Sequence, residues 1–119
     1  MRDSVAKAME VCPVEVAIAV LGGSWKMTIV KHLVSATLRF GELSRVVGGV
    51  SARMLTRQLR ELEADGVVHR EVYAEVPPRV EYSLTELGRT LVPLVQMLDE
   101  WGANYQERAA QSPSRSRIR

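Results

Sequence analysis

From Ala52 to Ala64 two kinds of residue interleave at helical spacing. Leu55, Leu59 and Leu62 fall at i, i+4 and i+7, so on a helix they share one face and must point into a core. Arg53, Thr56, Arg57 and Arg60 fall at i, i+3, i+4 and i+7. They line the other side as a solvent-facing stripe of long donors beside a hydroxyl. Ser51 is an N-cap for this helix, and Asp65-Gly66 stops it. A helix with a leucine back and an arginine front is constrained twice: it packs on a domain and presents cations outward.

The neighbouring segments supply that domain. Thr37 to Phe40 is short and β-leaning. Phe40, Leu43, Val46 and Val47 then give a buried stripe to a helix beginning near Phe40 or Gly41, and Gly48-Gly49-Val50 makes the turn into the arginine helix. Downstream, Val67 to Ala74 pairs with Arg79 to Leu84 as a hairpin around Glu75-Val76-Pro77-Pro78, whose prolines cannot donate ladder hydrogen bonds and so belong at the tip. Thr85 is an N-cap signal for a long last helix. Upstream, Pro13 opens a helix with Val14, Ala17, Ile18 and Leu21 at apolar spacing. Gly22-Gly23 ends it, and Ser24 caps a second helix carrying Trp25, Thr28, Ile29, His32 and Leu33. This order predicts an α+β, mostly helical fold: a winged helix-turn-helix with a two- to three-stranded antiparallel wing and N- and C-terminal dimerisation helices. The usual partner of that device is double-stranded DNA.

Charge placement agrees. The formal net charge of the 119 residues is only +2, too mild to mark a nucleic-acid binder. From Arg39 to Arg60, however, Arg39, Arg45, Arg53, Arg57 and Arg60 face Glu42 alone, an excess of +4. From Glu61 to Ala110 ten acids face four arginines, giving −6. Arginine forks onto guanine O6 and N7, and threonine contacts a base edge or a phosphate. The arginine stripe therefore suits a major groove; the plainer alternative is a solvated helix face with i,i+4 pairs, against which few acids are placed to neutralise Arg53, Arg57 and Arg60 apart from Glu61 and Glu63 near the helix end. Arg79, just after the double proline, is placed to enter a minor groove or grip phosphate; its alternative is an ion pair with Glu81 or Glu75.

In the last helix Leu87, Leu91, Leu94, Leu98, Trp101 and Tyr105 alternate by four and three, a heptad-like seam longer than one small domain needs. It reads as a homodimer interface, with packing on the chain's own core as the alternative, and Pro93 is expected to kink it. Residues 1–11 form an N-terminal arm, 12–110 the domain and 111–119 a disordered basic tail.

Other functions find little support. Cys12 is the only cysteine, so no internal disulfide can form. Cys12, His32 and His69 lack zinc-ligand spacing. No metal or other cofactor is expected. No apolar run approaches the ~18–20 residues that span a bilayer, and no signal-peptide pattern follows Met1, so a cytoplasmic protein with no membrane partner is expected. Gly22-Gly23 is too short for a nucleotide loop, and no nucleophile has an evident base, so an enzyme is not expected.

The chain resembles the HxlR family of bacterial transcriptional regulators, dimeric winged-helix proteins related to the MarR family. The resemblance runs from about Cys12 to Tyr105. It rests on Cys12-Pro13-Val14-Glu15, Gly22-Gly23-Ser24-Trp25-Lys26, Arg39-Phe40-Gly41-Glu42-Leu43, Met54-Leu55-Thr56, Leu59-Arg60-Glu61-Leu62-Glu63-Ala64-Asp65-Gly66 and Pro77-Pro78-Arg79-Val80-Glu81-Tyr82-Ser83-Leu84-Thr85. It implies a homodimer on a partly palindromic operator with half-sites ~10 bp apart or a multiple of that, with Ser51 to Arg57 at the start of the recognition helix and Arg79 on the wing. It also implies, for some members, oxidant control through a cysteine matched by Cys12. Pro13 makes that cysteine a helix N-cap, where the helix dipole favours thiolate while Glu10 and Glu15 oppose it. The alternative for Cys12 is a small semi-buried structural residue. A small-molecule effector between the dimer helices and the DNA-binding part is a further option. The competing function is a winged-helix protein-interaction module without specific DNA readout.

Overall fold

The arginine helix forms over the expected residues, Ala52–Ala64, and organises the rest. In the computed structural model, which describes residues 1–111, the order is α1 (Asp3–Ala8), α2 (Pro13–Leu21), α3 (Lys26–Leu33), β1 (Leu38–Arg39), α4 (Phe40–Val47), α5 (Ala52–Ala64), β2 (Val68–Tyr73), β3 (Arg79–Leu84), α6 (Glu86–Arg89) and α7 (Val92–Gln111). The basic tail expected from residue 111 lies outside the described residues except for Gln111.

Leu55, Leu59 and Leu62 are fully buried and meet Ile29, Val30 and Leu33 of α3, Leu43 of α4, and Val67, Val68 and Leu84 of the hairpin in one cluster. Each such side chain removed from water contributes roughly 1.5–3 kcal/mol before entropy is charged against it. The sheet runs β1-β3-β2, all antiparallel. Val68 pairs with Leu84 at its base and Tyr73 with Arg79 near its tip, while Leu38 and Arg39 of β1 face Tyr82 and Glu81. The wing therefore has three strands, and Val76 at its tip is fully exposed.

Two backbone positions explain how α5 hands over to the wing. Gly66 takes φ +82°, a left-handed conformation that costs glycine little. The amides of Asp65, Gly66 and Val67 turn back onto the carbonyls of Glu61, Glu63 and Leu62. Gly88 lets α6 press on the hairpin base, because a Cβ there would collide with the Val67 carbonyl. Thr85 joins both: its hydroxyl accepts from the Gly88 amide at 3.0 Å and donates to the Gly66 carbonyl at 2.6 Å.

Several expectations need correction. The last helix is broken rather than kinked. α6 ends at Arg89 and α7 starts at Val92, because Pro93 has no amide to donate and its ring excludes the carbonyl of Arg89 four residues back. The orphaned turn is closed by shorter bonds from Thr90 to Leu87 and from Leu91 to Gly88. Val46 is 47% exposed and falls outside the buried stripe of α4, where Leu43 alone is fully enclosed. Ser24 does not cap α3; Trp25 occupies that position without a side-chain cap bond. The arm contains a helix, α1, whose Val5 is buried, and the Met1 amine donates to the Ala64 carbonyl at 2.9 Å. No periodicity announces so short a helix; docking on the C-terminal end of α5 supports it.

Candidate nucleic-acid interface

Ser51 opens α5 in extended backbone, and its Oγ accepts from the Met54 amide at 3.1 Å. That bond satisfies one of the free N–H groups of the first turn. Along the outer face Arg53, Thr56, Arg57 and Arg60 line a shallow open hollow of about 510 Å³, with Ala52 and Glu61 at its borders. Arg53 and Arg60 are exposed and have no acidic partner among the described residues. The Thr56 hydroxyl donates to the Ala52 carbonyl at 2.8 Å, so its proton is turned inward and its oxygen is left as an acceptor.

Arg57 is 71% exposed at its side chain, and its Nε lies 3.5 Å from Glu61 Oε2. The other carboxylate oxygen of Glu61 meets Lys26 Nζ at 2.8 Å, and Lys26 is only 2% exposed. Arg2 adds a cation 3.6 Å from the same carboxylate. Its main hold is on Asp65, whose Oδ2 accepts from Arg2 Nε at 2.7 Å, and on the Ala19 carbonyl, also 2.7 Å away. The Lys26 hydrogen bond, aided by the positive field of Lys26, Arg2 and Arg57 and opposed by burial, holds the Glu61 carboxyl below the usual glutamate range. Lys26, Glu61, Arg2 and Asp65 are absent from the sequence-derived site. Lys26 and Glu61 are far apart in the chain, and a lysine in a helix reads as exposed until tertiary packing encloses it.

The remaining cations lie on the sheet. Arg39 is exposed at the end of β1, and its amide donates to Glu42 Oε1 at 2.8 Å. Arg79 is half-buried and folded back over the hairpin. Its guanidinium carbon sits 3.9 Å from the Tyr73 ring centroid, while its Nε lies 3.4 Å from Glu75 Oε1 and its Nη1 3.4 Å from Glu81 Oε2. Both acids expected as alternative partners from the sequence are thus engaged, and stacking on Tyr73 adds a contact that the sequence pattern does not show.

Of the seam, Leu91 packs on the core. Leu87, Leu94, Leu98, Trp101 and Tyr105 are exposed, and Trp101 and Tyr105 stack at 5.5 Å. Inward packing of α7 rests on Val95, and a Lys31–Asp99 pair at 2.8 Å ties it to α3. Val14 and Ile18 of α2 are also exposed. An apolar cavity of about 360 Å³ opens among α1, α2, α6 and α7, lined in part by Val5, Met9, Val20, Leu21 and Leu91. Cys12 is exposed at the N-cap position of α2 and makes no side-chain cap bond, so it is not the semi-buried packing residue offered as its alternative. No single described helix is long and apolar enough to cross a membrane.

Comparison with known proteins agrees with this geometry. The HxlR-like helix-turn-helix family matches residues 20–110. The chain is 54% identical over 98 residues to the uncharacterized HTH-type transcriptional regulator YybR of Bacillus subtilis (strain 168), covering 82% of this chain and 78% of that one. It is also similar to the redox regulator HypR in two solved structures. The oxidized form is 56% identical with a TM-score of 0.75, covering 78% of this chain and 96% of HypR. The reduced form is 51% identical with a TM-score of 0.79, covering 84% and 99%. With its three-stranded wing behind an arginine-faced helix, the chain belongs to the HxlR-like helix-turn-helix family of transcriptional regulators, on a MarR-like winged-helix fold.

Proposed function

We propose that the protein is a sequence-specific DNA-binding regulator that acts in the cytoplasm as a homodimer, with α5 of each protomer in successive major grooves of a palindromic operator. The observation that carries this reading is the outer face of α5, where Arg53 and Arg60 stand without acidic partners among the described residues, beside an exposed Arg57. Ser51 and Thr56 at the start of the helix, Arg39 at the end of β1 and Arg79 on the wing complete the contact set. Phosphate contacts release counterions, so log K falls with log salt at about −0.9 per contact on B-DNA. Selection of bound fragments from genomic DNA, followed by anisotropy titrations across salt, tests it. A shared sequence bound with a steep salt slope supports the reading. Salt-insensitive binding with no preferred sequence returns the chain to the protein-interaction reading.

The exposed apolar residues Leu87, Leu94, Leu98, Trp101 and Tyr105, with Val14 and Ile18 nearby in α2, support the dimer. Apolar patches of this kind mark association surfaces.

Control by oxidation at Cys12 is the regulatory part of the proposal. Relatives of solved structure are described as a redox regulator in oxidized and reduced forms, and Cys12 is exposed at the start of α2. With a single cysteine in the chain, a disulfide joins two Cys12 thiols from different chains or one Cys12 to a small thiol. Either product forms as two thiols surrender two protons and two electrons to an added oxidant. Treating wild type and Cys12→Ser with diamide, then comparing nonreducing gels and operator binding, tests it; identical behaviour removes it. The cavity among α1, α2, α6 and α7 supports an apolar small molecule as the other effector class, tested by ligand-dependent thermal shifts.

A further inference from the structure

We propose that Glu61 is a positioning residue for base readout: anchored from beneath by the buried Lys26 ammonium, its carboxylate holds Arg57 as the base-reading arginine of α5 and leaves Arg53 and Arg60 to grip phosphate. The inference rests on α5 being the groove helix.

An Arg–Glu pair at i,i+4 on a helix surface is ordinarily weak, because both long side chains keep other rotamers and water screens the charges. Here the acid is not free to move. Lys26 is enclosed by the core, a buried ammonium needs a counter-charge, and Glu61 Oε1 supplies it at 2.8 Å. That bond restrains the second oxygen, Oε2, which lies 3.5 Å from Arg57 Nε, an ion-pair separation and not a hydrogen bond. Because the contact is made through Nε, the two terminal nitrogens of Arg57 remain available to fork onto guanine O6 and N7. The side chain stays 71% exposed while one edge is held. Ordering it in advance lowers the entropy lost on binding.

Arg53 and Arg60 have no such carboxylate among the described residues. They keep the rotamer freedom of an unanchored arginine, which suits the tolerant geometry of phosphate contact and not a fixed base edge. The Glu61 carboxyl is ionised near neutrality, and its lowered pKa keeps the buttress charged into more acidic solution than an ordinary glutamate.

A double-mutant cycle on full-length protein tests this, reading discrimination as the ratio of Kd for random duplex to Kd for the operator recovered from genomic selection. Glu61→Gln is expected to reduce discrimination by at least about fivefold, the low end of what one bidentate arginine–guanine pair supplies. Its affinity for random duplex rises, because a negative charge has left the phosphate side. Arg57→Ala causes a comparable loss, and Glu61→Gln adds none in the Arg57→Ala background. An undiminished effect of Glu61→Gln in that background overturns the inference, as does discrimination unchanged by Glu61→Gln. A wild type that does not discriminate at all refutes the DNA reading instead. If an unpaired Lys26 keeps Glu61→Gln from folding, the same cycle is run with Lys26→Met/Glu61→Gln, which removes both charges together.

Discussion

The Arg79 guanidinium lies 3.9 Å above the Tyr73 ring, its directly paired residue across the hairpin. A cation on an aromatic face there is held in a second way by Glu75 and Glu81 at 3.4 Å. The wing cation is thus stored against its own strand, and on the proposed complex it must exchange carboxylates for phosphates.

Replacing Glu75 and Glu81 together by Gln is therefore expected to strengthen binding to duplex of any sequence, by about 1 kcal/mol per ion pair released. Arg79→Ala weakens binding and reduces the salt slope by about one. Anisotropy titrations at several salt concentrations check both, and an unaltered slope in Arg79→Ala excludes that residue from the contact set.

At the start of α5, Ser51→Ala removes the oxygen that accepts from the Met54 amide. The expected loss of stability is about 1 kcal/mol. Urea denaturation reads it as a lower midpoint at constant slope, and Ser51→Asp, which restores an acceptor, recovers most of it.

Acid should weaken the junction of α3 and α5. Glu61 has a folded pKa below its unfolded value, so the unfolded chain binds the proton first. The stabilisation from its ion pairs is fully present above the ordinary glutamate pKa and is lost as pH falls through the folded value. Wild type is expected to be more stable than Glu61→Gln at pH 7, with the gap closing at pH values below about 4.5. Urea midpoints at pH 7, 5 and 3 check this, and a gap independent of pH rules out the assignment.

On the α7 surface, Leu98→Glu places a charge in the apolar row that includes Trp101, itself 67% exposed. A dimer built on this row is expected to fall to monomers at micromolar concentration and to lose operator binding, while the monomer stays folded because Val95, not Leu98, faces the core. Sedimentation and circular dichroism measure the two quantities. An unchanged mass moves the dimer interface elsewhere.

Local patterns in the chain determined α2 to α5 and the wing, but not α1. Leu55, Leu59 and Leu62 could share a core only if Arg53, Arg57 and Arg60 faced out, and the double proline could sit only outside the ladder, since both follow from covalent geometry and period. The break before Val92 was visible as Pro93, but whether proline bends or interrupts a helix depends on what stabilises the freed groups, here the turn packed at Gly88. Contacts distant in sequence carry no periodic signal. The docking of Met1 and Arg2 on the end of α5, the Tyr73 platform under Arg79 and the enclosure of Lys26 beside Glu61 each came from packing. Burial reverses the usual behaviour of a charged side chain: in water lysine needs no partner, whereas inside the core it requires one, and that requirement fixes the carboxylate next to Arg57.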